Sequence, residues 1–185
     1  MLGGLALEAA LEAGDLKCYR NDVRIPASEL EIGPNSIDVT LGGLFYQMDR
    51  RFGTIDTHND LQEGLYYGFE ADMLIIQPGE LYLAHTQERF EIDGCFAPML
   101  EGRSTLARLG LCVHQTAGFG DHGFSGAFTL ELTVSGPNPI MLRKGDRVAQ
   151  VFWQSVVMPK TYKGVYSLED HYNKPVTPVT GITRM

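Results

Sequence analysis

The spacing of apolar residues changes once along this chain. Across residues 5–13 (LALEAALEA) they alternate with helix formers and stop at Gly14, which predicts one short helix ended by a glycine. Beyond it the period shortens. Residues 36–41 (SIDVTL), 81–86 (LYLAHT), 127–134 (AFTLELTV) and 148–157 (VAQVFWQSVV) are brief runs of β-formers, parted by the turn sequences IGPN, QPGE, SGPNP and RKGD. They predict an all-β domain of many short strands, with Trp153 in its core. Residues 104–109 (STLARL) are the exception: helix formers that open on a residue of N-cap type and run into Gly110, predicting a helical turn inside the β fold. Residues 47–79, rich in Asp, Gly and Tyr, carry no pattern that places an element, and no internal repeat is visible.

The run AFTLELTV holds an oddity. Period-two alternation puts Phe128, Leu130, Leu132 and Val134 on one face and Ala127, Thr129, Glu131 and Thr133 on the other. Glu is poorly suited to a strand and is rarely buried without a partner. Glu131 is therefore either a group on a solvated sheet face or a working carboxylate, and alternation alone does not separate the two.

Composition narrows the class of protein. With 185 residues, 44% hydrophobic and 21% charged, the chain matches one ordinary globular domain spanning 1–185. The amino end has no positive n-region, and Glu8 and Glu12 interrupt its apolar residues, so neither a signal peptide nor a spanning helix fits and a cytoplasmic location without membrane partners is expected. Cys18, Cys95 and Cys112 are three, an odd number without CxxC or Cys/His spacing, which predicts small buried hydrophobes rather than disulfides or a structural zinc site. His58, His85, His114, His122 and His171 show no ligand spacing either. A net charge of −8 opposes general nucleic-acid binding, so an anionic ligand must find a local positive site.

Two further stretches could supply such a site. In EGRSTLARLG, a helix start at Ser104 aims unpaired N–H groups outward, Arg103 lies beside it, and Ser104 and Arg108 share one face. An ordinary capped turn with solvated arginines has the same pattern. In GFGDHGFSG, glycines frame Asp121 and Phe124, so a backbone could approach a ligand while one acceptor and one aromatic face meet it. A Gly-rich hairpin with a turn Asp and a core Phe reads alike.

Taken in order, the segments GPNSIDVTLG (33–42), QPGELYLAHTQE (77–88), EGRSTLARLGL (101–111), HQTAGFGDHGFSGAFTLEL (114–132) and KGDRVAQVFW (144–153) resemble the dCTP deaminase branch of the dUTPase-like family. The resemblance implies a distorted jelly-roll β-barrel, assembled as a homotrimer with active sites between subunits. It implies hydrolytic conversion of dCTP to dUTP and ammonia. Glu131 is then the general base and acid, Ser104 and Arg108 hold the water and the tetrahedral intermediate, and the backbone at Ala117 positions the water. Arg103, Thr105, Thr116, Asp121, Phe124, Gln150, Tyr172 and Lys174 are the implied substrate contacts, with Asp121 on the 3′-hydroxyl, Phe124 on the deoxyribose and Arg103 on phosphates. Mg²⁺ would ride on the phosphates. The HxE…PCxxC arrangement of zinc deaminases does not occur, so deamination here is expected without zinc.

The match has gaps. Gly120 and His122 flank Asp121 where the family carries an aliphatic residue and Ala or Pro, and the tail of about 165–185, expected to close over the site, resembles the family's closing segment only loosely. Three rival readings stand beside the first: a bifunctional enzyme giving dUMP and pyrophosphate, a dUTPase alone, and a non-catalytic trimer that binds nucleotides or another protein as a sensor; the resemblance also implies dUTP as a ligand and dTTP as an inhibitor.

Overall fold

The protein is described by a computed structural model covering residues 1–49, 53–55, 65–157 and 159–160. Helix α1 (Gly4–Ala13) buries Leu7, Ala10 and Leu11, the i, i+3, i+4 positions of one face, and ends where Gly14 turns to φ 86° and donates its N–H to Ala10 O. The chain then runs through β1 (Leu16–Arg20), β2 (Val23–Arg24), β3 (Ile37–Thr40), β4 (Leu44–Met48), β5 (Tyr66–Glu70), β6 (Met73–Ile76), β7 (Tyr82–Ile92) and β8 (Phe96–Gly102). After the short helix α2 (Ser104–Ala107) come β9 (Leu111–Cys112), β10 (Ser125–Val134), β11 (Ile140–Arg143) and β12 (Arg147–Ser155).

Among the described residues the strands form three sheets, of seven, three and two strands, and every pairing is antiparallel. The mainly-β expectation holds, although no closed barrel forms among these residues. In the large sheet, β7 is the hub: it pairs with β10 along its length and with β4 and β1 at its two ends. The three-stranded sheet has the order β3-β12-β8. A continuous core lies between the sheets, with Phe45, Phe90, Leu130, Leu132, Val151 and Trp153 all fully buried.

Several strands escaped the sequence pattern for identifiable reasons. Strand β8 contains Pro98, which reads as a breaker, but β8 lies at the edge of its sheet and needs no N–H there. The β1–β2 hairpin turns through Asn21 and Asp22, both at positive φ, a turn chemistry met more often as Asn-Gly. Strands β5 and β6 occupy the stretch 47–79 that carried no pattern. The predicted run 81–86 extends to Ile92 because Glu88, polar in a core position, finds partners.

Those partners join the sheets. Glu88 is 1% exposed; its Oε1 accepts from Arg20 Nη2 at 2.7 Å and from Thr40 Oγ1 at 2.8 Å, and its Oε2 accepts from Thr40 N at 2.7 Å. One carboxylate thus ties β1 and β7 of the large sheet to β3 of the small one. Nearby, residues 86–88 of β7 lie opposite the single residue Phe128, and Thr86 Oγ1 fills the irregularity by accepting from Phe128 N at 3.0 Å.

The cysteine expectation is corrected in part. Cys18 is fully buried, but Cys112 is half-buried and Cys95 is exposed because it sits in the turn between β7 and β8. Among the described residues no helix is long and apolar enough to cross a membrane.

Two outcomes follow for stability. Arg20→Met leaves the Glu88 charge buried with only Thr40 to bond it, which should cost about 3 kcal/mol and lower Tm by roughly 6–12 °C at fixed protein concentration. A shift under about 2 °C would contradict the role given to this pair. Burial, aided by Glu88, pushes the Cys18 thiol from 9.0 up to about 12. The unfolded chain ionises first, so this contribution to stability is complete below about pH 9 and is lost at ~1.4 kcal/mol per pH unit as pH rises toward 12. Urea unfolding between about pH 8 and 11 should show a flatter alkaline decline for Cys18→Ala, and equal slopes would refute it.

Candidate active site

Glu131 sits in the middle of β10, whose alternation is as the sequence predicts: Phe128, Leu130, Leu132 and Val134 are buried, while Thr129, Glu131 and Thr133 face outward and are half-buried. Pairing places Leu83 of β7 opposite Glu131 and Tyr46 of β4 opposite Leu83, so the carboxylate stands on the outer face of the large sheet. Its Oε2 accepts from Gln115 N at 2.8 Å, and its own backbone N donates to Val113 O at 2.8 Å. Oε1 takes no hydrogen bond from the described residues. A carboxylate held by one oxygen and open at the other is suited to moving a proton.

The loop between β9 and β10 supplies that hold. Gln115 Nε2 donates to Thr133 Oγ1 at 2.9 Å, which pins the loop along β10. On its other side, Leu100 N donates to Gly118 O at 2.7 Å and Gly120 N to Pro98 O at 2.8 Å, which pins it along β8. Gly118 is required there, because a Cβ would lie 2.5 Å from Leu100 O. Gln115, Thr116 and Ala117 are left exposed at the crest, beside Glu131.

Helix α2 departs from the sequence reading in one respect. Its N-cap is Arg103, at φ −83° and ψ 130°, with no side-chain cap, so Ser104 is the first helical residue rather than the cap. Arg108 closes the turn, its N–H donating to Ser104 O at 3.1 Å. Ser104, Thr105 and Arg108 are exposed. Neither Ser104 nor Arg108 has a side-chain hydrogen bond or ion pair among the described residues, and Arg108 forms no ion pair with Glu131 within the chain.

Arg103 is more constrained. Its Nε lies 3.1 Å from Asp38 Oδ2 on β3, and its Nη1 donates to Arg147 O at 3.2 Å. Gln150, opposite Asp38 in the β12–β3 ladder, donates Nε2 to Gly102 O at 3.2 Å and accepts from Ser36 Oγ at 2.9 Å, so its amide braces the strand end that leads into α2.

In the Gly-rich turn, Asp121 is exposed and its carbonyl accepts from Phe124 N at 3.2 Å. Phe124 is 9% exposed and stacks on Phe128, ring centroids 4.7 Å apart. The loop presents Phe119 instead, 62% exposed. Tyr172, Lys174, His58, His171 and the tail of 165–185 lie outside the described residues.

Sequence reasoning missed three participants. Gln115 acts through its backbone, which no side-chain pattern signals. Asp38 was visible only as part of SIDVTL. Tyr66 lies in the stretch that had no pattern; burial pushes its phenol above the ordinary value and the Glu131 carboxylate pushes it further, placing the two groups in one field.

Comparison with known proteins identifies the family. A family model described as dCTP deaminase-like matches residues 1–156. A protein of Coprothermobacter proteolyticus named "dCTP deaminase, dUMP-forming" is 35% identical over 159 residues, covering 82% of this chain and 86% of its own. One of the same name from Corynebacterium jeikeium is 36% identical over 162 residues, covering 86% and 83%. A "dCTP deaminase" of Natronomonas pharaonis is 32% identical over 164 residues, covering 86% and 82%. The crystal structure of 2'-deoxycytidine 5'-triphosphate deaminase from Agrobacterium tumefaciens superposes with a TM-score of 0.61 at 18% identity, over 82% of this chain and 45% of that longer one, and so speaks for the fold. Match and relatives together establish that the chain belongs to the dCTP deaminase-like family.

Proposed function

We propose that this protein deaminates dCTP hydrolytically, with Glu131 as the proton carrier. The observation that carries the reading is the half-buried carboxylate of Glu131 on the outer sheet face, fixed at Oε2 by Gln115 N and without a bond at Oε1 among the described residues. Water adds to C4 of the cytosine while its proton passes to Glu131 and on to N3. A second proton, from the new C4 hydroxyl, travels through the same carboxylate to the exocyclic amine. The C4–N4 bond then breaks, ammonia leaves, and C4 becomes the carbonyl of uracil.

The other residues divide the remaining work. Ser104 and Arg108 steady the water and the tetrahedral intermediate, and the exposed backbone at Ala117 positions the water. Arg103 holds phosphate oxygens, Asp121 accepts the sugar hydroxyl, and Thr105, Thr116 and Gln150 border the pocket. Mg²⁺ bound to the phosphates would neutralise their charge, and among the described residues no group of three His, Cys, Asp or Glu side chains is assembled to hold an ion by itself.

A homotrimer completes the site in this reading. What supports it is the separation among the described residues: none of them pairs a cation with Glu131 or a carboxylate with Arg108, and Arg108 is exposed beside Leu109, which is 63% exposed. An α2 from a neighbouring copy would bring Arg108 to Glu131 and cover that apolar surface.

A second reading has its own support. The relatives from Coprothermobacter proteolyticus and Corynebacterium jeikeium are named as dUMP-forming. In that case water also attacks the α-phosphorus, and pyrophosphate leaves with its bridging oxygen.

One experiment covers both. Wild type and Glu131→Gln are incubated with dCTP and Mg²⁺ and the nucleotides separated by anion exchange. Wild type should consume dCTP, giving dUMP with pyrophosphate under the second reading and dUTP under simple deamination. Glu131→Gln should be slower by at least about 10²–10⁴, the typical worth of a general base, with unchanged nucleotide affinity. Near-normal turnover by Glu131→Gln would remove Glu131 from the chemistry.

A further inference from the structure

A guanidinium that must meet a phosphate gains by being held in place beforehand, since a free arginine samples many rotamers. Arg103 is held. Its Nε lies 3.1 Å from Asp38 Oδ2 and its Nη1 donates to the Arg147 carbonyl at 3.2 Å. These contacts engage Nε and Nη1 and leave the Nη2 donors without a partner among the described residues. The same Asp38 oxygen lies 3.6 Å from Arg147 Nη1, which Glu31 Oε2 holds at 3.0 Å. Asp38 is therefore shared by two arginines that border one surface.

Asp38 is itself fixed. It lies on β3 opposite Gln150 of β12, its backbone N donates to Glu31 O at 3.0 Å, and its side chain is 19% exposed. Strand geometry thus sets the carboxylate, the carboxylate and the Arg147 carbonyl hold the arginine, and its Nη2 keeps its donors unused among the described residues. We propose that Asp38 is a positioning residue for nucleotide binding: it orients Arg103 so that the free Nη2 of the guanidinium receives the phosphate chain. This rests on the reading of Arg103 as a phosphate contact.

A mere strand-to-loop tie would give the same geometry, so the test must separate the two. Wild type, Asp38→Asn, Arg103→Ala and the double variant are titrated calorimetrically with inorganic tripolyphosphate, and KM and kcat for dCTP are measured in parallel. Asp38→Asn should weaken tripolyphosphate and raise KM by about three- to tenfold, with kcat unchanged within about twofold. In the Arg103→Ala background the same change should add nothing. Asp38→Glu, which retains the charge, should stay within about threefold of wild type and serves if Asp38→Asn fails to fold. Equal losses in both backgrounds, tighter binding by Asp38→Asn, or no tripolyphosphate binding by wild type would overturn the proposal. Coupled tripolyphosphate binding without dCTP turnover would leave Asp38 in its role and instead sink the deaminase reading.

Discussion

The antiparallel pairing of β7 with β10 decides which groups of this protein meet water. With a side-chain period of two, the ladder that buries Leu130 and Leu132 must turn Glu131 outward, and a slip of one residue would exchange the faces. The irregularity opposite Phe128 places three residues of β7 against one of β10, an even excess that leaves the faces intact. Thr86 repairs the missing ladder bond with its hydroxyl. Strand parity therefore carries the site: the carboxylate lies where it does because the leucines beside it must be buried.

Two glutamates on neighbouring strands show how environment assigns work. Glu88 points inward, is almost wholly buried, and spends its oxygens on Arg20 and Thr40. Such a group serves architecture, since withdrawing a partner leaves a charge in the core. Glu131 points outward and commits one oxygen to one backbone N–H. The two side chains are chemically identical; burial and the number of donors around each make one a joint between sheets and leave the other with an oxygen that no described residue bonds.

Much of this was legible in the residues, and the rest was hidden for physical reasons. Alternation in AFTLELTV gave both faces of β10 directly, and Gly14 ends α1 and Trp153 lies in the core as expected. Strand β8 was hidden because a proline at a sheet edge costs nothing, and β5 because YYGFE gains its stability from β4 rather than from its own pattern. At the site, Glu131, Ser104 and Arg108 carried signals of residue type, whereas Gln115 contributes a backbone N–H that any residue but proline could supply. Phe124 showed the ambiguity of an aromatic in a glycine-rich turn: packing against Phe128 puts it chiefly in the core. Asp38 was invisible as a partner of Arg103 because the two meet only after β3, β8 and β12 have paired.

The proposed site is shared by two copies of the chain, with Glu131 from one and Arg108 from the next. Co-refolding an equal mixture of Glu131→Gln and Arg108→Ala, each inactive alone, tests it most directly. Every mixed trimer would contain one site with both residues intact, so random assembly should restore dCTP deamination to about a quarter of the wild-type level. An inactive mixture, under conditions where refolded wild type is active, would contradict the shared site and the roles given to both residues.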